Sequence, residues 1–156
     1  MPRIRLNPES VRAEIADLQS KMSRAARSLS DAKGAALGSC KRNAVFKIDR
    51  ATLYHYQPRK AVQNSVPVLI VYATVKRPDM VDLQQDRSLI RSLLDRGLDI
   101  YLIDWGTPNG SDRTLCLSDY ISRYVDACVD YIREQNELAA INLLGICQGG
   151  TFSACY

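Results

Sequence analysis

Histidine is nearly absent from this chain: His55 is the only one among 156 residues. A chain with one imidazole has a single candidate of the commonest general-base type. No run of apolar residues is long enough to cross a bilayer as a helix. The opening Met1-Pro2-Arg3-Ile4-Arg5 lacks the apolar core of a signal peptide, so the cytoplasm is the expected compartment. The five cysteines, Cys40, Cys116, Cys128, Cys147 and Cys155, are odd in number and include no C-x-x-C pair. That spacing argues against a disulfide framework and a zinc site, and no metal is expected. Four of the five are expected to be small structural residues. No nucleic-acid-binding motif is present, and no nucleic-acid partner is expected.

What is present fits an ordinary globular domain. Hydrophobic residues make up 46% and charged residues 24%, and the length suffices for one domain with its own core. The net charge of +4 is uneven. Residues 1–60 hold 13 basic against 5 acidic side chains, a balance of +8, and residues 61–156 hold 8 against 12, a balance of −4. A basic front half suits phosphates or an acidic partner, and equally a solvated surface.

The stretch Leu143-Leu144-Gly145-Ile146-Cys147-Gln148-Gly149-Gly150 reads as an apolar strand, a tight turn with a cysteine at its tip, and a helix start. This is the layout of a nucleophile elbow, with Cys147 where G-x-S-x-G puts serine. Gly145 and Gly149 fall where strand and helix crowd together and leave no room for a side chain. A strained backbone at the tip lifts the reactive atom clear of the sheet. The helix start beneath it favours negative charge at the sulfur through free N–H groups and the helix dipole. Cys147 is the candidate nucleophile.

Upstream, Asn7-Pro8-Glu9-Ser10 reads as a helix start, and Val11, Ile15, Leu18, Met22, Ala25 and Leu29 share one helical stripe. The stripe suits packing on its own domain or, with its coiled-coil period, docking on another subunit. Residues 31–43 read as a loop. Residues 44–49 and 52–57 alternate apolar and polar around Asp49-Arg50, as a β-hairpin does. Residues 67–73 and 98–103 are continuous apolar runs, expected as strands buried on both faces of a parallel sheet. Residues 82–96 fit a helix closed by Gly97. Ser118 can cap a long helix reaching Asn136, with Ile121, Tyr124, Val125, Cys128, Tyr131 and Ile132 on one face. Residues 140–144 form the strand that feeds the elbow. Alternating strands and helices behind a hairpin imply the α/β class and a parallel sheet, arranged as the first half of an α/β-hydrolase fold. On this reading residues 1–43 are an N-terminal helix and loop, and residues 44–156 a partial catalytic domain. The chain is expected to be an N-terminal fragment of a longer protein.

Three blocks carry a family resemblance. Gly145-Ile146-Cys147-Gln148-Gly149-Gly150 resembles the cysteine lipase-like box of polyhydroxyalkanoate synthases. Leu69-Ile70-Val71-Tyr72-Ala73, with Arg77-Pro78 and Asp86-Arg87-Ser88, resembles the segment after that family's first buried strand. Tyr101-Leu102-Ile103-Asp104-Trp105-Gly106 resembles the next strand and loop. The short distance from Met1 to Cys147 is similar to that in the two-subunit synthases, whose catalytic subunit works with a second, non-catalytic one. The resemblance implies transfer of a 3-hydroxyacyl group from coenzyme A to a growing polyester through a cysteine thioester, with coenzyme A released and no cofactor. It also implies a second synthase subunit as partner and work at the surface of a cytoplasmic polymer granule. Sulfur suits this reaction. Exchange between thiols is nearly isoenergetic, so the enzyme-bound thioester stays activated, and attack by a hydroxyl to form an oxoester is then downhill. Water must be excluded, or the thioester is hydrolysed.

Roles follow by position in the fold. The backbone N–H of Gln148 supplies one oxyanion donor, and the second comes from the loop after the first buried strand, from Thr74 or Val75, with Val75 preferred. Lys76 and Arg77 on that loop suit coenzyme A phosphates or a solvated surface. The acid and histidine of this fold's triad follow the nucleophile in chain order. His55, on the hairpin, is therefore expected to be structural. Asp104 is given no role, and Cys155 is expected in the core. Two other readings stay open: a cysteine hydrolase of dienelactone-hydrolase type, and a non-catalytic interaction module using the N-terminal helix. The 156 residues alone are expected to be inactive.

Overall fold

The computed structural model describes Glu14, Asp17 and residues 19–23, 38–75 and 77–156. The chain divides into two compact units, Met1–Ala36 and Leu37–Tyr156. In the first, Glu14, Asp17 and residues 19–23 are helical, and Lys21 pairs with Asp17 one turn back at 2.7 Å. Met22 is exposed. The rest of the predicted stripe and the first part of the predicted loop lie outside the described residues.

The second unit opens with β1 (Arg42–Ile48) and β2 (Ala51–Tyr56), the predicted hairpin, followed by β3 (Val68–Val71). A 3-10 turn, Pro78–Val81, leads into two short strands, β4 (Asp82–Gln84) and β5 (Arg87–Ser88), and a short helix α1 (Leu89–Leu94). Next come β6 (Ile100–Asp104), a second 3-10 turn Gly110–Thr114, and a long helical run. That run consists of α2 (Leu117–Asp119), a π-helical segment Tyr120–Val125 and α3 (Asp126–Asn136). Strand β7 (Asn142–Gly145) and helix α4 (Gln148–Cys155) complete it. The main sheet has the order β1-β2-β6-β3-β7, with β6, β3 and β7 parallel and the hairpin antiparallel beside β6.

Period-two alternation divides the strand residues between two apolar layers. Leu69 and Val71 of β3, with Tyr101 and Ile103 of β6, meet Val125, Cys128, Val129 and Ile132 of the long helical run and Phe152 of α4. Ile70 of β3, with Ile100 and Leu102 of β6, meets Val81 and the α1 residues Ile90 and Leu94 on the other face. Helices therefore cover both faces, which is why these strands read as unbroken apolar runs. Full burial of each such side chain contributes about 1.5–3 kcal/mol. Phe152 holds α4 to the sheet, and its truncation to alanine would cost about 3–5 kcal/mol.

Two local expectations need correction. The helix expected over residues 82–96 is confined to Leu89–Leu94. Asp82 is buried and takes hydrogen bonds from the Ser88 hydroxyl at 2.6 Å, the Cys40 N–H at 2.7 Å and the Ser39 hydroxyl at 2.8 Å. Those bonds hold residues 82–88 in a small hairpin, and the Ser88 hydroxyl caps α1 by accepting from Arg91 N–H at 2.9 Å. The long helix starts two residues earlier than expected, at Leu117, with Cys116 rather than Ser118 at its N-cap. The Asp119 carboxylate accepts the Cys116 backbone N–H at 2.7 Å, a capping box with cysteine in the place of serine.

Candidate active site

Strand β7 ends at Gly145 and α4 starts at Gln148, so two residues turn the chain. Cys147, at the tip, has φ +58° and ψ −127°, a conformation non-glycine residues rarely adopt, and is exposed. Such a backbone costs on the order of 1–3 kcal/mol and persists only where the surroundings over-determine it. They do so here. The Ile146 N–H donates to the Val71 carbonyl at 2.9 Å, and the Gly149 and Gly150 N–H groups close back onto Ile146 and Cys147 at 3.1 and 2.9 Å. A Cβ on Gly149 would overlap the Val71 carbonyl and stand 2.9 Å from Tyr72 N. One on Gly145 would stand 2.5 Å from Gly150 Cα and 2.6 Å from the Gly149 carbonyl oxygen. Both glycines are thus required by close approach, whereas a Cβ on Gly150 would meet nothing nearer than 3.6 Å.

The exit of β3 is tied down at three successive points. Val71 is held by Ile146, and the Tyr72 carbonyl accepts the Trp105 indole N–H at 2.9 Å. The Gln148 side-chain oxygen accepts both the Thr74 N–H, at 3.2 Å, and the Thr74 hydroxyl, at 2.9 Å. Trp105 is itself fixed, packing edge-on against Phe152 of the elbow helix and against Tyr120 and Tyr124. The Gln148 N–H, at the first turn of α4, and the Val75 N–H meet no acceptor among the described residues. Val75 is 80% exposed.

A cleft of about 640 Å³ opens beside this loop, lined by Thr74, Val75, Arg77, Asp79, Asp104 and Thr107 among others. Arg77 is exposed, and Lys76 lies outside the described residues. Asp104 ends β6, and its carboxylate accepts the Gly106 N–H at 3.0 Å. The Asp86-Arg87-Ser88 block is architectural through Ser88, while Asp86 and Arg87 are exposed.

His55 sits elsewhere. It pairs in register with Tyr101 near the amino end of β6, whereas the elbow lies at the carboxyl end of the parallel strands. Its Nε2 is 2.7 Å from Asp99 Oδ1, and its ring stacks on Tyr101 with centroids 4.2 Å apart. Three strand spacings, roughly 14 Å, also separate β2 from β7. Of the cysteines other than Cys147, Cys40 and Cys128 are buried as expected, and burial pushes the Cys128 thiol up to about 12. Cys155, expected in the core, is exposed, as is Cys116. The buried positions of α4 are Gly149 and Phe152, and Cys116 is the N-cap of α2.

A family model of the alpha/beta hydrolase fold matches residues 66–156. The chain belongs to the alpha/beta hydrolase fold family. Over 98% of its length it is 46% identical to the poly(3-hydroxyalkanoate) polymerase subunit PhaC of Allochromatium vinosum, covering 44% of that protein. Over 77% of its length it is 52% identical to the PhaC subunit of Synechocystis, covering 32% of it. The chain therefore spans less than half the length of these relatives. The resemblance drawn from the three sequence blocks is borne out by them. A solved structure of the Francisella virulence factor BioJ shares the fold, with a TM-score of 0.54 at 20% identity, over 94% of this chain and 48% of that one.

Sequence reasoning singled out the cysteine, both elbow glycines, Gln148 and Val75. It missed the Gln148 side chain, because its partner Thr74 stands 74 positions away and no local pattern links the two.

Proposed function

We propose that this chain carries the nucleophile of a polyhydroxyalkanoate synthase, an acyltransferase that joins 3-hydroxyacyl groups from coenzyme A into a polyester. The observation that carries the reading is the exposed, strained Cys147 on its elbow, with the unpartnered Gln148 N–H next to it. The Cys147 sulfur attacks the thioester carbonyl, the C–S bond to coenzyme A breaks, and the acyl group is held as an enzyme thioester. Gln148 N–H and Val75 N–H stabilise the tetrahedral oxyanion. A hydroxyl of the next unit then takes the acyl group and releases Cys147. The PhaC relatives support this reading, being poly(3-hydroxyalkanoate) polymerase subunits by name.

With His55 held by Asp99 at the other end of the sheet, no imidazole of these 156 residues serves the sulfur. The base is supplied from outside them, and the isolated chain is expected to show no turnover. A second synthase subunit is the proposed partner and the granule surface the proposed place of work. Among the described residues no helix is long and apolar enough to cross a membrane. The full-length protein with its partner, given 3-hydroxybutyryl-CoA, is expected to yield polymer and free coenzyme A thiol. Polymer formation by a Cys147→Ala variant would sink the assignment. Free hydroxy acid in place of polymer would instead select a hydrolase.

A further inference from the structure

Gln148 follows the nucleophile, and its backbone and side chain face different tasks. Its N–H is free at the start of α4, while its side-chain oxygen reaches across to the loop after β3 and takes both donors of Thr74. Two consequences follow from the hydrogen-bond inventory. The Thr74 N–H is consumed, so it has no capacity left for a ligand. The next N–H along the same loop, that of Val75, is left unpartnered among the described residues. The link also joins the segments that bear the Gln148 and Val75 N–H groups. A loop that is otherwise open to solvent is thereby tied to the elbow itself.

We propose that the Gln148 side chain is a positioning residue: it latches the Thr74–Val75 turn to the elbow, so that the Val75 N–H and not the Thr74 N–H faces the reacting carbonyl. The proposal rests on the acyl-transfer reading of Cys147 given above. It assigns the side chain a role separate from the backbone donor of the same residue. The latch is exposed, so it contributes little to global stability. Its effect lies in geometry, because an oxyanion donor displaced by about 1 Å loses most of its value.

Two reactions of Cys147 separate this role from a structural one. Acylation by an aryl ester such as p-nitrophenyl acetate forms a C–S bond, passes through a tetrahedral oxyanion and expels nitrophenolate. Alkylation by iodoacetamide forms a C–S bond and expels iodide with no oxyanion. In the full-length protein, Gln148→Ala is expected to slow acylation by about 10- to 100-fold and to leave alkylation within about twofold. Hydrogen exchange at the Thr74 amide is expected to accelerate at least about tenfold in the same variant, with the unfolding midpoint little changed. Thr74→Ser keeps both donors and should retain acylation, whereas Thr74→Val should lose part of it. The double variant Gln148→Ala/Thr74→Val should be no slower than Gln148→Ala alone. Equal slowing of acylation and alkylation, or an unchanged Thr74 exchange rate, would overturn the latch. Failure of the wild-type protein to make polymer would overturn the acyltransferase reading, and the latch would still be judged by the acylation-to-alkylation ratio.

Discussion

The two ends of the parallel strands hold complementary halves of one chemistry. At the carboxyl end stands the proposed sulfur nucleophile, Cys147, beside the unpartnered Gln148 N–H and with no imidazole among the described residues. At the amino end stand an imidazole and a carboxylate 2.7 Å apart with no nucleophile. Distance between groups does not separate the two, since the His55–Asp99 pair is as close as any catalytic pair. Saturation does. His55 is engaged by Asp99 and by the face of Tyr101. Asp82 is likewise spent, its buried carboxylate filled by Ser39, Cys40 and Ser88. At the elbow the Gln148 N–H is left open among the described residues, beside a Cys147 backbone held in a strained conformation by its neighbours. Polar groups with filled partners build the fold, and those left unfilled at a strained turn are available for chemistry.

The contrast can be broken most severely at Gly149. Alanine there would drive a methyl into the Val71 carbonyl, and we expect about 3 kcal/mol of destabilisation, read by urea unfolding, with loss of acylation at Cys147. A fold that accepts this change with both properties intact would refute the close-approach argument. A smaller effect is expected at Asp82→Asn, about 2 kcal/mol, because a buried charge-assisted acceptor is weakened. Burial raises the Asp82 pKa, but the hydrogen bonds from Ser88, Cys40 and Ser39 outweigh it and hold the value below the usual range. Its stabilisation is therefore complete above the unfolded carboxylate value of about 3.9 and is lost as pH falls through the lower folded value. Unfolding measured between pH 5 and 2 in wild type and Asp82→Asn checks the sign, and parallel curves would contradict it. Smaller again, His55→Ala should cost about 1 kcal/mol and leave alkylation of Cys147 within about twofold. A large fall in alkylation would join the two ends that we hold to be separate. The smallest change is Gly150→Ala, where the helix has room for a methyl and stability should rise by up to about 1 kcal/mol.

The comparison also explains what the sequence made legible. Strands β3 and β6 were readable because burial on two faces demands apolar residues, and the elbow because two close approaches demand glycine at fixed offsets from Cys147. The segment 82–88 was misread because Leu83 and the later leucines imitate a helical stripe, while the buried Asp82 that dictates otherwise binds Ser39 and Cys40, more than 40 positions away. The Cys116 cap was hidden because cysteine seldom takes the place of serine there. Cys155 was misplaced by assuming that a thiol on a core helix faces inward, when Gly149 and Phe152 occupy the inward positions.

Trp105 is the chain's one tryptophan. Its indole N–H is bonded to the Tyr72 carbonyl, three residues before Val75, and its ring rests on Phe152 of the elbow helix. The molecule therefore carries a built-in optical probe. On excitation where tyrosine does not absorb, the emission of these 156 residues comes from a single site between the loop after β3 and the elbow helix. A shift in emission on acylation of Cys147 would report the motion of that loop without any added label.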